Sequence, residues 1–191
     1  AFVEAQDRML PLYDKALVKP VADWLKNHGV TVHLGAKASG LDAEGLVVEM
    51  ADGQRQTLPA DKILVTVGRR PQTADWGLEN MAVDMAGAFV KVDAQCRTSM
   101  RDVYAIGDLV GEPMLAHKAS AQGEMVAELI AGNKRAFEPR AIPAVCFTEP
   151  EIVGVGLSPD EAKAEGIEIK VGTFPFMANG RALSMEAGED G

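Results

Sequence analysis

Apolar positions recur along the first third of the chain with two different periods. Ala1 to Glu4 reads as the end of a strand whose beginning is missing, and a loop containing Pro11 follows it. Leu17, Val18, Val21, Trp24 and Leu25 then fall at helical spacing, which predicts an amphipathic helix from about Lys15 to Asn27. Gly29 marks its C-terminal end. Val30 to Leu34 alternates as a short strand does, so strand, helix and strand read as one parallel crossover of a nucleotide-binding sheet.

Lys37 to Leu41, Leu46 to Met50 and Gln54 to Leu58 are separated by the turn formers Asp42-Ala43-Glu44-Gly45 and Ala51-Asp52-Gly53, the pattern of a meander. Lys62 to Val67 is a near-continuous β-branched run, which predicts a strand buried on both faces. It breaks at Gly68-Arg69-Arg70-Pro71, where a domain crossing is expected. A second set of short strands follows, Phe89 to Val92 and Val103 to Ile106. The next element is a helix from about Ala116 to Ala131, whose residues Ala116, Ala119, Gly123, Val126, Ala127 and Ile130 share one mostly small face able to approach a neighbour closely. Pro139 and Pro143 bracket a linker. Beyond it lie strand-like segments at Cys146 to Thr148 and Ile152 to Gly156, a helix from Ser158 to Glu165, and a strand from Ile167 to Gly172. Ser158-Pro159-Asp160-Glu161 carries an N-cap, a first-position proline and a third-position glutamate. No repeat or low-complexity tract interrupts the series.

The expected fold class is therefore α/β: a partial Rossmann-like nucleotide-binding domain over residues 1–69, a central domain over 70–138, and the start of an α+β domain over 139–191. With 191 residues, 47% hydrophobic and 25% charged, the chain can bury a core. No run approaches the roughly 18 apolar residues of a membrane span, and the first residues lack the order of a signal peptide, so no membrane association is expected. A net charge of −9 without clustered Lys and Arg argues against nucleic acid and for a small ligand. Cys96 and Cys146 have neither Cys-x-x-Cys nor zinc spacing and read as buried free thiols in a reducing compartment. No metal site is expected. Both ends of the chain read as cut.

Four places could carry ligand chemistry. Glu4, at a strand end, stands where a carboxylate can accept both ribose hydroxyls of an adenosine half; this favours NAD over NADP, whose 2′-phosphate it would repel. Taken alone, such a residue is more often a solvated loop carboxylate. Gly68 would let a cofactor lie against the backbone, or is a plain turn ahead of Pro71. Asp108 follows Gly107, which leaves room for close approach to a polyol or ribityl hydroxyl, although Gly-Asp is also a common turn pair. Met114-Leu115-Ala116-His117 leads into the small-faced helix, whose N-terminal N–H groups and positive end would stabilise negative charge such as that on a reduced flavin. There the main chain acts, since a lone His117 more often packs than serves as a base. His28 and His33 read as surface residues, and Trp24, Met114 and Met125 as packing. Arg69, Arg70 and Arg181 receive no role.

Thr66-Val67-Gly68-Arg69-Arg70-Pro71, Val103-Tyr104-Ala105-Ile106-Gly107-Asp108, Met114-Leu115-Ala116-His117-Lys118-Ala119 with Gly123, and Phe147-Thr148-Glu149-Pro150-Glu151 with Val155-Gly156-Leu157, taken in order, closely resemble the dihydrolipoamide dehydrogenase family of flavoprotein disulfide reductases. The resemblance spans essentially the whole chain. The Ala-Ile-Gly-Asp element identifies only the superfamily. Leu-Ala-His-Lys-Ala and Thr-Glu-Pro-Glu favour the lipoamide enzyme over glutathione or mercuric reductase.

The resemblance implies a cytoplasmic homodimer using FAD and NAD, with lipoyl domains of 2-oxo acid dehydrogenase complexes or of the glycine cleavage system as partners. By position, Glu4 looks like the NAD ribose ligand and Ala38 and Gly68 like NAD-lining positions. Asp108 looks like the flavin ribityl ligand, and Met114, Leu115, Ala116 and His117 like the isoalloxazine contact. The family's redox disulfide and acid-base histidine belong to segments before and after these motifs, so no catalytic residue is named, and the isolated chain is expected to be inactive or at most a nucleotide-binding module.

Overall fold

Asp14 accepts the N–H of Ala16 at 2.7 Å and so caps the first helix, α1, Lys15–Asn27. At the other end Gly29, with φ of 74°, donates to the Lys26 carbonyl while Val30 donates to that of Leu25, and the chain turns out of the helix there. Pro20 lies inside α1 without ending it. Of the apolar stripe, Val21 is buried, Val18, Trp24 and Leu25 are half-buried, and Leu17 is exposed. His28 stacks on Trp24, ring centres 3.9 Å apart, and its Nδ1 meets the Trp24 carbonyl.

Strand β1, Phe2–Glu4, and β2, Val32–Leu34, flank α1 and pair in parallel with Phe2 opposite Val32 and Glu4 opposite Leu34. The chain then enters the antiparallel meander β3, Lys37–Leu41, β4, Gly45–Glu49, and β5, Arg55–Pro59. Asp42 organises its first turn: Oδ1 accepts from the N–H groups of Glu44 and Gly45, and Oδ2 accepts from the Thr57 hydroxyl. These bonds, the Thr57 one foremost, hold the Asp42 carboxyl below its ordinary range.

The computed structural model describes residues 1–188 and 191 and divides the chain into two units, Ala1–Val65 with Pro143–Gly191, and Thr66–Ile142. In the first unit the core is Met9, Val21, Ala36, Val48, Ile152, Ala162 and Ala182. In the second, β6, Met85–Ala86, pairs antiparallel with β7, Phe89–Val90. Asp93 then accepts from the N–H groups of Gln95 and Arg97 and closes a turn that buries Cys96. Burial pushes the Cys96 thiol up, Asp93 adds to that, and Lys118 opposes it. Helix α2, Ala116–Ile130, ends this unit's regular structure.

Back in the first unit, β8, Ala144–Cys146, pairs antiparallel with β9, Ile152–Gly154. Ser158 and Glu161 then close a reciprocal capping box on α3, Pro159–Ala164. A last short helix, α4, Gly180–Ser184, is capped by Asn179. Replacing Ser158 by alanine should cost about 1 kcal/mol of stability, read as a lower denaturant midpoint. The hydrogen bonds from Ser158 hold the Glu161 carboxyl below its ordinary range. The stability that the Glu161 carboxylate contributes is therefore present above the usual glutamate range and is lost as pH falls through the depressed value; a midpoint equally sensitive to pH in a Glu161→Gln protein would refute it.

Three expected strands are absent as strands. Lys62 to Val67 forms no ladder, and Leu64 and Val67 are 88% and 94% exposed. A β-branched run suits a sheet interior but cannot supply its own neighbours, and none of the two- and three-stranded sheets includes it. Val103 to Ile106 keeps only a bridge between Tyr104 and Arg97, and Ile167 to Gly172 is extended without pairing. Cys146 is half-buried rather than buried, on a two-stranded ribbon with limited cover. No helix among the described residues is long and apolar enough to cross a membrane.

Candidate functional site

In the first unit, β1 delivers Glu4 to the end of the parallel pair, half-buried. Its Oε1 accepts the Gln6 N–H at 2.8 Å, which aims the carboxylate, and its backbone carbonyl accepts from Ala36 at 3.0 Å. That second bond ties the strand end to the start of β3, where Ala38 lies exposed opposite Val48, beside a bulge before Gly40. The structure thus brings Glu4 and the Ala36–Ala38 segment together. A carboxylate keeps acceptor capacity on both oxygens after one backbone bond, so Glu4 can receive a vicinal diol.

A groove of about 720 Å³ runs along α1 and β2 in the same unit, lined by Val18, Ala22, Val30 and Val32 together with Lys15 and Lys26. None of the expected cofactor residues lines it.

In the second unit, Gly68 is exposed with φ of 126°, a conformation that side chains resist, and nothing lies within 4 Å of where a Cβ would project. The next residue ties this segment to a second expected site, because Arg69 Nη1 donates to the Met114 carbonyl at 3.3 Å. Sequence reasoning left Arg69 without a role, and an exposed arginine pair before a proline offers no sign of so distant an acceptor.

Asp108 is exposed on the 3-10 turn Gly107–Val110. Gly107, directly before it, is buried with φ of 71°, and a Cβ there would stand 3.0 Å from that of Ala119 on α2. The close approach that the glycine permits within the chain is to a helix. Two side chains that sequence reasoning missed complete this contact. Gln122 Oε1 accepts the Gly107 N–H at 2.8 Å, and Lys118 Nζ donates to the Gly111 carbonyl; both residues are buried. Lys118 and Gln122 sit one turn apart on α2, and a polar pair at that spacing ordinarily reads as a solvated face.

Met114 and Leu115 are half-buried and Ala116 and His117 exposed at the N-terminus of α2, where Leu115 provides no side-chain cap. The start of this 15-residue helix carries positive potential toward an approaching anion. The small face expected for α2 is covered in part: Ala119, Gly123 and Val126 are half-buried, and Ala119 lies against Gly107. Lys118, Gln122 and Met125 are buried, whereas Ala116, Ala127 and Ile130 are exposed and Gly123 faces Ile106. Small residues allow close approach, but they do not decide which side chains are buried most fully.

The chain thus offers a half-buried carboxylate at Glu4, open space beside Gly68, an exposed carboxylate at Asp108 and the positive end of α2, groups able to meet hydroxyls and negative charge. Among the described residues no three His, Cys, Asp or Glu side chains are placed to hold a metal ion.

Residues 1–123 match the family described as pyridine nucleotide-disulphide oxidoreductase, and residues 142–191 match that family's dimerisation domain. A dihydrolipoyl dehydrogenase of Pseudomonas aeruginosa PAO1 is 57% identical over 189 residues, covering 99% of this chain and 41% of that protein. Among solved structures, LpdA from Mycobacterium tuberculosis is similar with a TM-score of 0.81 and 28% identity, over 98% of this chain and 41% of that one. The HOCl-induced flavoprotein disulfide reductase RclA from Escherichia coli is similar with a TM-score of 0.82 and 26% identity, over 97% of this chain and 43% of that one. The chain thus spans about two-fifths of the length of the relatives it matches.

Proposed function

Since this chain belongs to the pyridine nucleotide-disulphide oxidoreductase family, we propose that it forms part of an FAD-dependent dihydrolipoyl dehydrogenase, which oxidises a protein-bound dihydrolipoamide to the disulfide and reduces NAD. The observation that carries this reading is the 57% identity, over almost the entire chain, to a dihydrolipoyl dehydrogenase. In the proposed enzyme, residues 1–69 of this chain contribute to the NAD-binding domain, 70–138 to the central domain and 139–191 to the interface domain.

FAD supplies the two-electron relay between dithiol and nicotinamide. The chain's own residues bind and orient. Glu4, held by the Gln6 N–H, accepts the adenosine ribose hydroxyls of NAD and repels a 2′-phosphate. Ala38 and Gly68 keep the dinucleotide's path free of bulky side chains. Asp108 accepts hydroxyls of the ribityl chain. The backbone at Met114, Leu115, Ala116 and His117 faces the flavin ring, and the helix start stabilises negative charge on it. The redox disulfide and the acid-base histidine lie on parts of the protein other than these residues.

The protein works as a cytoplasmic homodimer serving lipoyl domains of 2-oxo acid dehydrogenase complexes or the glycine cleavage system. Exposed Phe147, Val155, Leu157, Phe174 and Met177 support the dimer, since apolar side chains so placed are suited to a partner surface. A related disulfide reductase on the same scaffold is the second reading, supported by the likeness to RclA.

The test uses the full-length protein, with dihydrolipoamide and glutathione compared as substrates and NAD and NADP as cofactors. Rapid turnover of dihydrolipoamide with NAD is expected. Glu4→Ala should raise KM for NAD by about tenfold while narrowing the preference over NADP, as loss of a charge-assisted hydrogen bond and of a like-charge repulsion predicts. Reduction of glutathione disulfide in place of lipoamide turnover would select the second reading, and an unchanged NAD/NADP ratio would remove Glu4 from the cofactor site.

A further inference from the structure

The turn that presents Asp108 is held at both ends by one helix. At its start, the Gly107 N–H donates to Gln122 Oε1 at 2.8 Å, and the bond is buried. Just past its end, the Gly111 carbonyl accepts from Lys118 Nζ. Between these bonds Gly107 lies against Ala119, and before them Ile106 lies against Gly123. Lys118 and Gln122 are 4% and 5% exposed, the polar residues buried within the second unit's core among the described residues.

Burying an ammonium and an amide costs stability unless each bond is made, so such groups are poor choices for packing alone. A leucine and a methionine would fill the same space without that cost. What the polar pair adds is direction. An N–H facing an amide oxygen and an ammonium facing a carbonyl set the backbone of residues 107–111 to within a hydrogen bond's tolerance. The same helix begins at Ala116, so Asp108 and the backbone at Met114 to His117 are referred to one rigid rod.

We propose that Lys118 and Gln122 are positioning residues for flavin binding, clamping the 107–111 turn so that Asp108 stands in fixed register with the N-terminus of α2. This rests on the reading of Asp108 as a ribityl ligand. A flavin spanning both places needs their spacing set before it binds, and preorganisation of that kind appears as affinity.

The experiment measures FAD affinity of the full-length apoprotein by quenching of flavin fluorescence, alongside thermal unfolding and the visible circular dichroism of bound flavin. Gln122→Leu removes the acceptor and should raise the Kd for FAD by about tenfold and alter the dichroism; Gln122→Glu restores an acceptor and should return the Kd to within about twofold. Lys118→Met keeps the apolar stem, loses the donor and carries the same expectation should Gln122→Leu fail to fold. Met125→Ala, a cavity on the same buried face, should lower Tm and leave FAD affinity unchanged. Equal loss of affinity in Met125→Ala would reduce the pair to ordinary packing and overturn the proposal. Unchanged affinity in Gln122→Leu and Lys118→Met, with affinity lost in Asp108→Ala, would overturn the clamp and leave Asp108 in place. Unchanged affinity in Asp108→Ala would overturn both.

Discussion

Replacing Asp108 by alanine in the full-length flavoprotein is expected to weaken FAD binding by about 30-fold or more, the loss of one or two hydrogen bonds to a charged acceptor. The residue stands exposed on a short turn whose backbone is bonded into α2, so its removal leaves the turn's own hydrogen bonds intact. The loss should therefore appear in affinity and not in Tm of the apoprotein. Asp108→Asn keeps one carbonyl acceptor without the charge and should fall between wild type and alanine. Fluorescence titration of apoprotein with FAD gives the ordering; affinity equal in all three proteins would mean that the carboxylate faces only water.

Gly45→Ala carries the largest expected effect on stability. A Cβ at this position would lie 2.1 Å from the Leu58 carbonyl oxygen and 2.8 Å from the Ala60 nitrogen, both backbone atoms. Gly45 opens β4, is paired with Pro59, and donates its N–H to Asp42. Neither strand can retreat without giving up the ladder or the turn. A cost of about 3 kcal/mol or more follows, a fall in Tm on the order of 6–12 °C for a chain of this size. Gly40→Ala, on the neighbouring strand β3 with open space around its Cβ, should change stability by less than about 0.5 kcal/mol. Hydrogen exchange of the β4 and β5 amides, read with thermal unfolding, tests the pair; comparable stability in both variants would show that the meander tolerates the displacement.

Much of the fold was legible because its signals are local. The apolar spacing from Leu17 to Leu25 marked the face of α1, Gly29 its end, and Ser158 with Glu161 the start of α3, since helical period, caps and left-handed stops involve residues within one or two turns. The turn formers around Asp42 and Asp52 likewise placed the three strands of the meander. Glu4, Gly68, Asp108 and the segment from Met114 to His117 could be picked out because strand ends and helix starts can be counted along the chain, although local chemistry left each of them with an ordinary alternative.

By itself, then, the sequence determined the α/β class and the course of α1, α2, α3 and the meander, and it offered a short list of carboxylates and backbone segments as candidates to meet a dinucleotide. Only the tertiary structure decided that Lys62 to Val67 has no ladder, that α2 buries Lys118, Gln122 and Met125 most fully, that Arg69 reaches Met114, and that Gly107 makes room for Ala119. Each of these depends on a partner distant in the chain. Period and capping are properties of neighbours in sequence, whereas ladder pairing and the satisfaction of a buried polar group are settled only when remote segments meet.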